Sequence, residues 1–153
     1  MTFVYRILRK AFCESPFDGE GAYRFGGRWS SPGIRLAYTS EHASLAMLEY
    51  LTHINRLDLP PDLVLVTAEV PETVPRIVVK KAQLPDNWRE TPTPPELAAF
   101  GDRFVNANRA CALVVPSALS PGESNWLINP EHSSFRKVRV RPPEPFQYDP
   151  RLL

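Results

Sequence analysis

The sequence predicts an α+β domain built on a mixed β-sheet with a few flanking helices. Its 153 residues include 17 prolines, and so many prolines favour short elements and rigid turns over a long helical bundle. Hydrophobic residues make up 43% and charged residues 23%, which is typical of a folded globular chain. The predicted strands do not alternate regularly with helices, so a repeating βαβ unit is not expected. We therefore expect a single domain over residues 1–153.

In the first third of the chain, residues 3–8 alternate loosely and are rich in β-forming side chains, which predicts a strand. Residues 13–33 form a long connection with five of the seven glycines, a clustering that suggests a binding loop. A proline–glycine turn then leads into a second predicted strand at residues 34–39. Ser40 is suited to cap a largely buried helix that runs to about residue 54.

The rest of the chain is predicted to contain mostly strands and one more helix. Strands are expected at residues 63–70 and 76–81, followed by an irregular, proline-rich segment at 82–95. Pro95 suits the first turn of a helix that continues to about residue 109. Further strands are predicted at residues 112–115, 126–128 and 135–140, and a proline-rich tail at 142–153.

Charge and cysteine content narrow the classes of partner and location. The formal net charge is +1, which gives no reason to expect direct binding to nucleic acid or to a membrane surface. No signal peptide and no run of about 18 apolar residues is recognisable, so we expect a cytoplasmic protein. Cys13 and Cys111 are expected to be reduced thiols. No zinc spacing is present, and neither a metal nor a prosthetic group is expected.

Glu49 is the first residue that could carry chemistry, because it lies in the apolar surface of the predicted helix. A carboxylate there must be paired, hydrogen-bonded or exposed in a pocket. Two interpretations stay open. Glu49 either pairs with an arginine or faces solvent, or else it stabilises a developing positive charge or holds a ribose hydroxyl.

The glycine loop supplies two arginines and an aromatic neighbour. Arg24 and Arg28 flank the glycines, Gly27 among them, and an arginine together with glycine N–H groups can bind a phosphate; a surface or structural ion pair is the alternative. Arg28 could instead stack on Trp29 as a structural pair. Tyr38 is either a core residue or a ring that stacks on a planar heterocycle. The glycine spacing matches neither a dinucleotide fingerprint nor a P-loop.

Ser124 follows a proline–glycine turn and precedes Asn125. No histidine lies at a triad spacing and no G-x-S-x-G elbow is present, so we expect a hydrogen-bonding serine rather than a nucleophile. A serine that bonds only its own turn is the alternative. The basic residues at 136–141 are expected to form a solvated strand face, because no aromatic platform is interleaved with them.

Taken in order, these pieces resemble the RES domain family of toxin–antitoxin toxins, which is named for its arginine, glutamate and serine. The resemblance covers nearly the whole chain, and the order and spacing of the pieces are specific together although each alone is weak. The matching pieces are RFGGRW at 24–29, LAYTS at 36–40, AMLE at 46–49, SNWLINP at 124–130 and FQYDPRL at 146–152.

The resemblance implies a fold similar to ADP-ribosyltransferases and a toxin that consumes NAD, as substrate, by cleaving the nicotinamide–ribose bond. The implied acceptor is water or phosphate, with ADP-ribosyl transfer to a target protein as the alternative. An RNA-directed toxin and a non-catalytic interaction domain are the alternatives of another class. Carried over by position, the catalytic residues are Glu49, Arg28, Tyr38 and Ser124, and the NAD-binding residues are Arg28, Tyr38, Gly27, Arg24 and Asn125.

The resemblance also implies a partner. A toxin of this family is expected to be held in check by a cognate Xre-like antitoxin that covers the active site. Homo-oligomerisation within that complex is a further expectation.

Overall fold

An eight-stranded mixed sheet forms the centre of the structure, a computed structural model that describes residues 1–153. Three α-helices flank it, so the predicted α+β class is confirmed. The strands are β1 (Thr2–Arg9), β2 (Ala37–Ser40), β3 (Leu63–Val70), β4 (Arg76–Val78), β5 (Ala112–Pro116), β6 (Ser124–Ile128), β7 (Arg139–Val140) and β8 (Glu144–Phe146). The α-helices are α1 (Glu20–Phe25), α2 (Ala43–Leu51) and α3 (Pro95–Ala107), and short 3-10 turns lie at Lys10–Phe12, Lys81–Gln83, Ser133–Lys137 and Pro150–Leu152.

The strand order is β4-β5-β6-β2-β1-β3-β7, with β8 also paired to β3. Only β4 and β5 run parallel; every other pair is antiparallel. The longest ladder joins β1 to β3, from Thr2 opposite Val70 to Arg9 opposite Leu63. In contrast, β1 meets β2 at one position only, Tyr5 opposite Ser40. The pairing of β1 with β2 is therefore the shortest in the sheet.

The core is built by alternation along the strands. In β3, Val66, Ala68 and Val70 are buried while the residues between them are partly exposed, as expected for a strand with one face on the core. A second apolar cluster lies between the sheet and α3, where Leu97 and Phe104 pack with Trp29. Each Å² of apolar surface buried in these clusters stabilises the fold by roughly 25 cal/mol.

The beginning of α2 differs from the prediction. Ser40 belongs to β2, and the helix begins at Ala43 with His42 as the residue before it, ending at Leu51. The cause is tertiary: the Ser40 hydroxyl donates to the side chain of Asn125 across the sheet and accepts no N–H from the first turn of the helix.

Two further segments differ from the predicted elements. The expected strand at 135–140 is wrong, because Ser133–Lys137 forms a 3-10 turn and only Arg139–Val140 is a strand. His132 Nδ1 accepts the N–H of Ser134 and so favours the turn. The expected loop at 13–33 contains α1, preceded by Gly19 with φ of 71°; a Cβ there would lie 2.7 Å from the backbone nitrogen of Leu36.

Both cysteines are free, as expected. Cys111 is buried, and burial raises the pKa of its thiol to about 11. No helix in the structure has the length and apolar character needed to cross a membrane.

Candidate active site

Glu49 lies near the end of α2, a helix that contacts β1 and β2, and its carboxylate is bound on one side only. Its Oε1 atom accepts hydrogen bonds from Asn125 Nδ2 at 2.7 Å and from Ser117 Oγ at 3.2 Å. Its Oε2 atom has no hydrogen-bond partner in the protein, and no arginine pairs with the residue. Glu49 is therefore hydrogen-bonded, with one carboxylate oxygen free for a ligand.

The pairing of β6 with β2 orients the Asn125 side chain toward Glu49. It lies on β6 directly opposite Ser40 of β2, and Ser40 Oγ donates to Asn125 Oδ1 at 2.8 Å. Because a hydroxyl donates to the amide oxygen, the NH₂ group of Asn125 is the end that faces Glu49. Two neighbouring strands thus fix a donor for the carboxylate.

Ser117, which sequence reasoning missed, supplies the second donor. It follows β5 directly and is only 3% exposed. Its hydroxyl accepts the N–H groups of Leu119 and Ser120, both at 3.1 Å. The sequence did hold a signal for Ser117: it follows an apolar strand and precedes a turn that ends in proline and glycine. Serine hydroxyls often bond the backbone of such turns.

Ser124 lies at the first position of β6, beside Asn125. Its backbone nitrogen donates to Glu41 Oε1 at 2.7 Å, and its carbonyl oxygen accepts from the Glu41 nitrogen at 3.2 Å. The Ser124 hydroxyl makes no hydrogen bond within the protein. The serine that donates to Glu49 is Ser117. The Ser124 side chain is left free for other partners.

Glu41, His42 and Glu123 gather around this strand start, with one ligand atom from each within 4.8 Å of the others. His42 Nδ1 lies 2.5 Å from Glu123 Oε1, and Ser120 donates to the other oxygen of Glu123. The bonds from Ser120 and His42 lower the pKa of Glu123. These contacts tie the turn before β6 to the segment before α2.

Arg28 is also bound on one side only. Its Nη1 atom donates to the carbonyl oxygens of Trp88 at 3.1 Å and Glu90 at 3.2 Å, both in the proline-rich segment between β4 and α3. Its Nε and Nη2 atoms have no partner in the protein. Trp29 packs edge-on against Phe100, with ring centroids 6.2 Å apart, rather than against Arg28.

Tyr38 packs against the glycine loop. Its hydroxyl accepts the Trp29 N–H at 3.0 Å and lies 2.8 Å from Ser30 Oγ. A Cβ at Gly27 would lie 2.5 Å from the same hydroxyl, so only glycine allows this approach. Burial raises the pKa of Tyr38 from 10.0 to about 12.

Arg24 has a different environment from Arg28. It lies on the exposed side of α1, where Nε donates to Glu20 Oε1 at 2.8 Å, four residues earlier. Arg35 donates to the other oxygen of Glu20 at 2.7 Å. The bond from Arg24 is the largest cause, followed by the bond from Arg35, and both lower the pKa of Glu20. Nη1 and Nη2 of Arg24 have no partner in the protein, but its charge is already paired with Glu20.

Two surface depressions complete the picture. One of about 250 Å³ adjoins the end of α2 and is lined by Leu48, Leu51, Thr52, Arg56 and Leu119. Neither Glu49 nor Ser117 lines it, although Leu48 precedes Glu49 in α2 and the Leu119 N–H donates to Ser117 Oγ. A larger groove of about 830 Å³, between residues 13–18 and 130–140, contains none of the predicted site residues.

Known proteins resemble this chain over almost its whole length. The family model described as RES domain matches residues 3–149. A protein of Yersinia enterocolitica named Toxin Res is 35% identical over 150 residues, covering 97% of this chain and 98% of that protein. A protein of Sphingobium sp. named Prs ADP-ribosylating toxin is 35% identical over 156 residues, covering 99% and 97%.

A solved structure shares the fold. The crystal structure of the M. tuberculosis MbcT–MbcA toxin–antitoxin complex contains a chain with a TM-score of 0.77 and 19% identity, covering 95% of this chain and 84% of that one. At this identity the likeness concerns the fold alone. The family model and the curated relatives confirm the resemblance read from the motifs: the chain belongs to the RES domain family of toxins.

Proposed function

We propose that this chain is a single-domain toxin of a toxin–antitoxin system that cleaves the nicotinamide–ribose bond of NAD, with water or phosphate as acceptor. The observation that carries the proposal is the one-sided binding of Glu49, whose Oε1 is held by Asn125 and Ser117 while Oε2 is free. A fixed carboxylate with one free oxygen suits a reaction in which positive charge develops on a sugar.

The chemistry follows from the charges. Nicotinamide leaves ribose C1′ with the bonding electron pair and becomes neutral, so an oxocarbenium-like centre develops on the ribose. Water or phosphate then forms the new bond at C1′ through oxygen, and water loses a proton to solvent. Glu49 Oε2 would stabilise the developing charge and accept a hydrogen bond from a ribose hydroxyl.

Arg28 is a better candidate than Arg24 for binding the pyrophosphate of NAD. Its Nε and Nη2 atoms form a free edge that can bind two phosphate oxygens in parallel. The backbone of Gly27, in the same loop, would add a donor. Arg24 would be a secondary contact, because its charge is already paired with Glu20.

The remaining site residues take supporting roles in this proposal. Tyr38 would line the nicotinamide side with its neutral ring. Ser124, whose hydroxyl is unbonded within the protein, would donate to the ribose. Asn125 holds Glu49 and would face the substrate from the same strand. No metal and no prosthetic group enter this mechanism.

ADP-ribosyl transfer to a target protein is the second candidate. It is favoured by the relative named Prs ADP-ribosylating toxin, which matches 99% of this chain. The chemistry at C1′ would be the same, with a nucleophile of the target protein in place of water. An RNA-directed function has less support, because Arg141 already pairs with Glu69 and stacks on Phe3.

An Xre-like antitoxin that covers the site is the partner we infer. In support, the neighbour in fold was solved as a toxin–antitoxin complex. Leu48 and Leu119, beside Glu49, are 47% and 42% exposed and offer an apolar contact there. A cytoplasmic location and a homo-oligomer within the complex stay expectations.

The test is release of nicotinamide from NAD by the purified chain, freed of antitoxin, with and without phosphate. Glu49→Gln and Arg28→Ala are expected to lower release at least about 100-fold, the size typical for loss of an electrostatic contact in a transition state. Arg139→Ala is the matched control, because Arg139 lies on β7 at the far edge of the sheet from β6 and its side chain makes no bond in the protein. No release by folded wild type, or equal release by Glu49→Gln, would contradict the proposal.

Radiolabelled NAD added with cell lysate separates the two candidates. Label on a protein band, lost in Glu49→Gln, would favour transfer to a target protein. Free ADP-ribose or its 1-phosphate without labelled protein would favour water or phosphate.

A further inference from the structure

One edge of the sheet is open along β4. This strand is the last in the strand order and pairs only with β5. Ile77 and Val78 point to opposite faces of the strand and are 42% and 57% exposed. An uncovered apolar edge attracts another strand, so natural proteins usually cover such an edge or place charged side chains on it.

The one charged residue of β4, Arg76, does not guard this edge. Its Nη2 atom donates to the Pro71 carbonyl at 2.7 Å and to the Val74 carbonyl at 3.1 Å. Its guanidinium lies over the Trp126 ring, 4.9 Å from the centroid. The charge of Arg76 is therefore held by its own chain, and the edge stays open to a partner strand.

The hydrogen bonds of β4 show which backbone groups point away from β5. The Val79 N–H donates to the Val114 carbonyl at 2.8 Å, so Val79 faces β5. Because the bonds to one neighbour alternate along a strand, Ile77 also faces β5, whereas Arg76 and Val78 face the open edge. Each of these two residues presents one N–H group and one carbonyl group for pairing.

The open edge ends directly after β4. Lys80 would be the next outward-facing residue, but its N–H donates to Gln83 Oε1 at 2.8 Å and its carbonyl accepts the Gln83 N–H at 2.9 Å. Lys81 begins the 3-10 turn that follows. A partner strand can therefore bond only to residues 76–78.

Two copies of this chain fit each other's edge in one register. With Ile77 opposite Ile77 of a second copy in an antiparallel pair, Arg76 lies opposite Val78 at both ends, and each of these pairs exchanges two backbone hydrogen bonds. A pair centred on Val78 would keep only the bonds of that one pair. It would also place Arg76 opposite Lys80, so that like charges meet. The edge is thus self-complementary about Ile77, as a two-fold contact requires.

Charges next to the strand fit the same register. The turn at residues 71–74 precedes β4 and contains Glu72, whose side chain is 76% exposed. In the pair centred on Ile77 this turn comes beside Lys80 and Lys81 of the second copy, both of which are exposed. Opposite charges therefore approach each other at both ends of the pair.

We propose that this chain forms a two-fold symmetric homodimer in which β4 pairs antiparallel with β4 of a second copy, centred on Ile77. The pairing joins two eight-stranded sheets into one. The two-fold axis is perpendicular to the sheet, so both Glu49 sites lie on the same face. Three paired residues bury less than the roughly 1,200 Å² of a standard interface. We therefore expect a Kd of about 10 μM to 1 mM.

Sedimentation velocity of the full chain, freed of antitoxin, tests the dimer at concentrations from about 10 μM to 1 mM. Ile77→Lys places two ammonium groups opposite each other at the axis and should raise Kd at least about tenfold. Val140→Lys is the matched control, because Val140 is 43% exposed on β7 at the other end of the strand order. It should leave Kd unchanged. Denaturant unfolding checks that both variants are folded.

Disulfide trapping tests the register without relying on affinity. The variants carry Cys13→Ser, which leaves only the buried Cys111. Ile77→Cys should be crosslinked when diamide oxidises the two thiols, because directly opposite Cβ atoms lie about 4.5–5.5 Å apart. Val78→Cys should be crosslinked far less, because its two copies are diagonal neighbours about 7–8 Å apart.

Three results would each overturn the proposal: a monomer at every concentration, an unchanged Kd in Ile77→Lys, or crosslinking through Val78→Cys in preference to Ile77→Cys. A monomer in which the N–H groups of Arg76 and Val78 become protected from exchange only in the antitoxin complex would assign the edge to the antitoxin instead. None of these measurements uses NAD, so the dimer stands or falls independently of the proposed function.

Discussion

Ser40 Oγ donates to Asn125 Oδ1 at 2.8 Å, and this bond determines which end of the Asn125 amide faces Glu49. Ser40 is only 3% exposed, so no solvent replaces the bond when the hydroxyl is removed. The Glu49 carboxylate on α2 is thereby oriented, through Asn125, by a hydroxyl on β2, the strand next to β6.

Ser40→Ala should therefore lower NAD cleavage about 3- to 10-fold and destabilise the fold by about 1 kcal/mol, the net value of a hydrogen bond. The measurement is nicotinamide release together with denaturant unfolding. Ser133→Ala, at an exposed serine whose hydroxyl has no partner, is the control and should change neither. Unchanged activity in Ser40→Ala would show that the amide is held without Ser40.

Arg89→Ala tests how the Arg28 guanidinium is held. Arg89 donates through Nε and Nη2 to the Ala118 carbonyl at 3.3 and 3.0 Å, while its neighbours Trp88 and Glu90 hold Arg28. Loosening this segment should raise KM for NAD about 2- to 10-fold, as the loss of about 1 kcal/mol implies. Arg89→Lys, with one usable donor toward the carbonyl, should fall between wild type and alanine.

The control for Arg89 is Arg103→Ala, since both arginines stack on an aromatic ring, Trp88 and Phe100 respectively. If both alanine variants raise KM equally, the effect is a general consequence of lost surface charge.

Gly27→Ala should disrupt the glycine loop. A Cβ would lie 2.5 Å from the Tyr38 hydroxyl, so either the loop or the tyrosine must move, at a cost of about 1–3 kcal/mol. Thermal unfolding and nicotinamide release measure the effect. Gly21→Ala is the matched control, because nothing lies within 4 Å of its added Cβ and α1 should gain about 0.5–1 kcal/mol. A stable, active Gly27→Ala would mean that the loop tolerates the shift.

Tyr38 should make the protein sensitive to alkaline pH. Burial raises its pKa from 10.0 to about 12 in the folded state, so between these values the unfolded chain loses the proton first. The contribution to stability is complete below pH 10, falls as pH rises and is lost above about pH 12.

Tyr38→Phe should remove the part of the alkaline loss of stability that comes from this phenol, on the order of 2 kcal/mol between pH 9 and 12. The measurement is denaturant unfolding over that range. Tyr148, whose pKa is also raised to about 12, should leave a residual loss in this variant. Identical pH profiles for wild type and Tyr38→Phe would contradict the assignment.

Local pattern was enough to find the elements that carry the site. The alternation of β3 and the apolar face around Glu49 are properties of neighbouring residues, so strand and helix could be predicted. Ser124 and Asn125 were assigned through the family resemblance, because the predicted strand began only at residue 126, whereas β6 begins at Ser124. Their distance from Glu49, however, depends on the pairing of β6 with β2.

Tertiary contacts explain the errors. Ser117 lies 68 residues from Glu49 in sequence, and no periodicity links the two. Ser40 is a residue type that commonly caps helices, but its hydroxyl bonds Asn125 across the sheet. At residues 135–140 alternation indicated a strand, yet the bond from Ser134 N–H to His132 stabilised a turn.

The nine-residue length of α2 has a consequence for how the protein can be silenced. An isolated helix this short is not stable in water, so α2 depends on its docking, which Tyr148 reinforces by donating to the Met47 carbonyl at 2.6 Å. Asn125 and Ser117 stay with the sheet when α2 undocks, whereas Glu49 departs with the helix. A local opening would thus separate the carboxylate from its donors without global unfolding, and amide exchange in α2 would report the fraction of competent molecules.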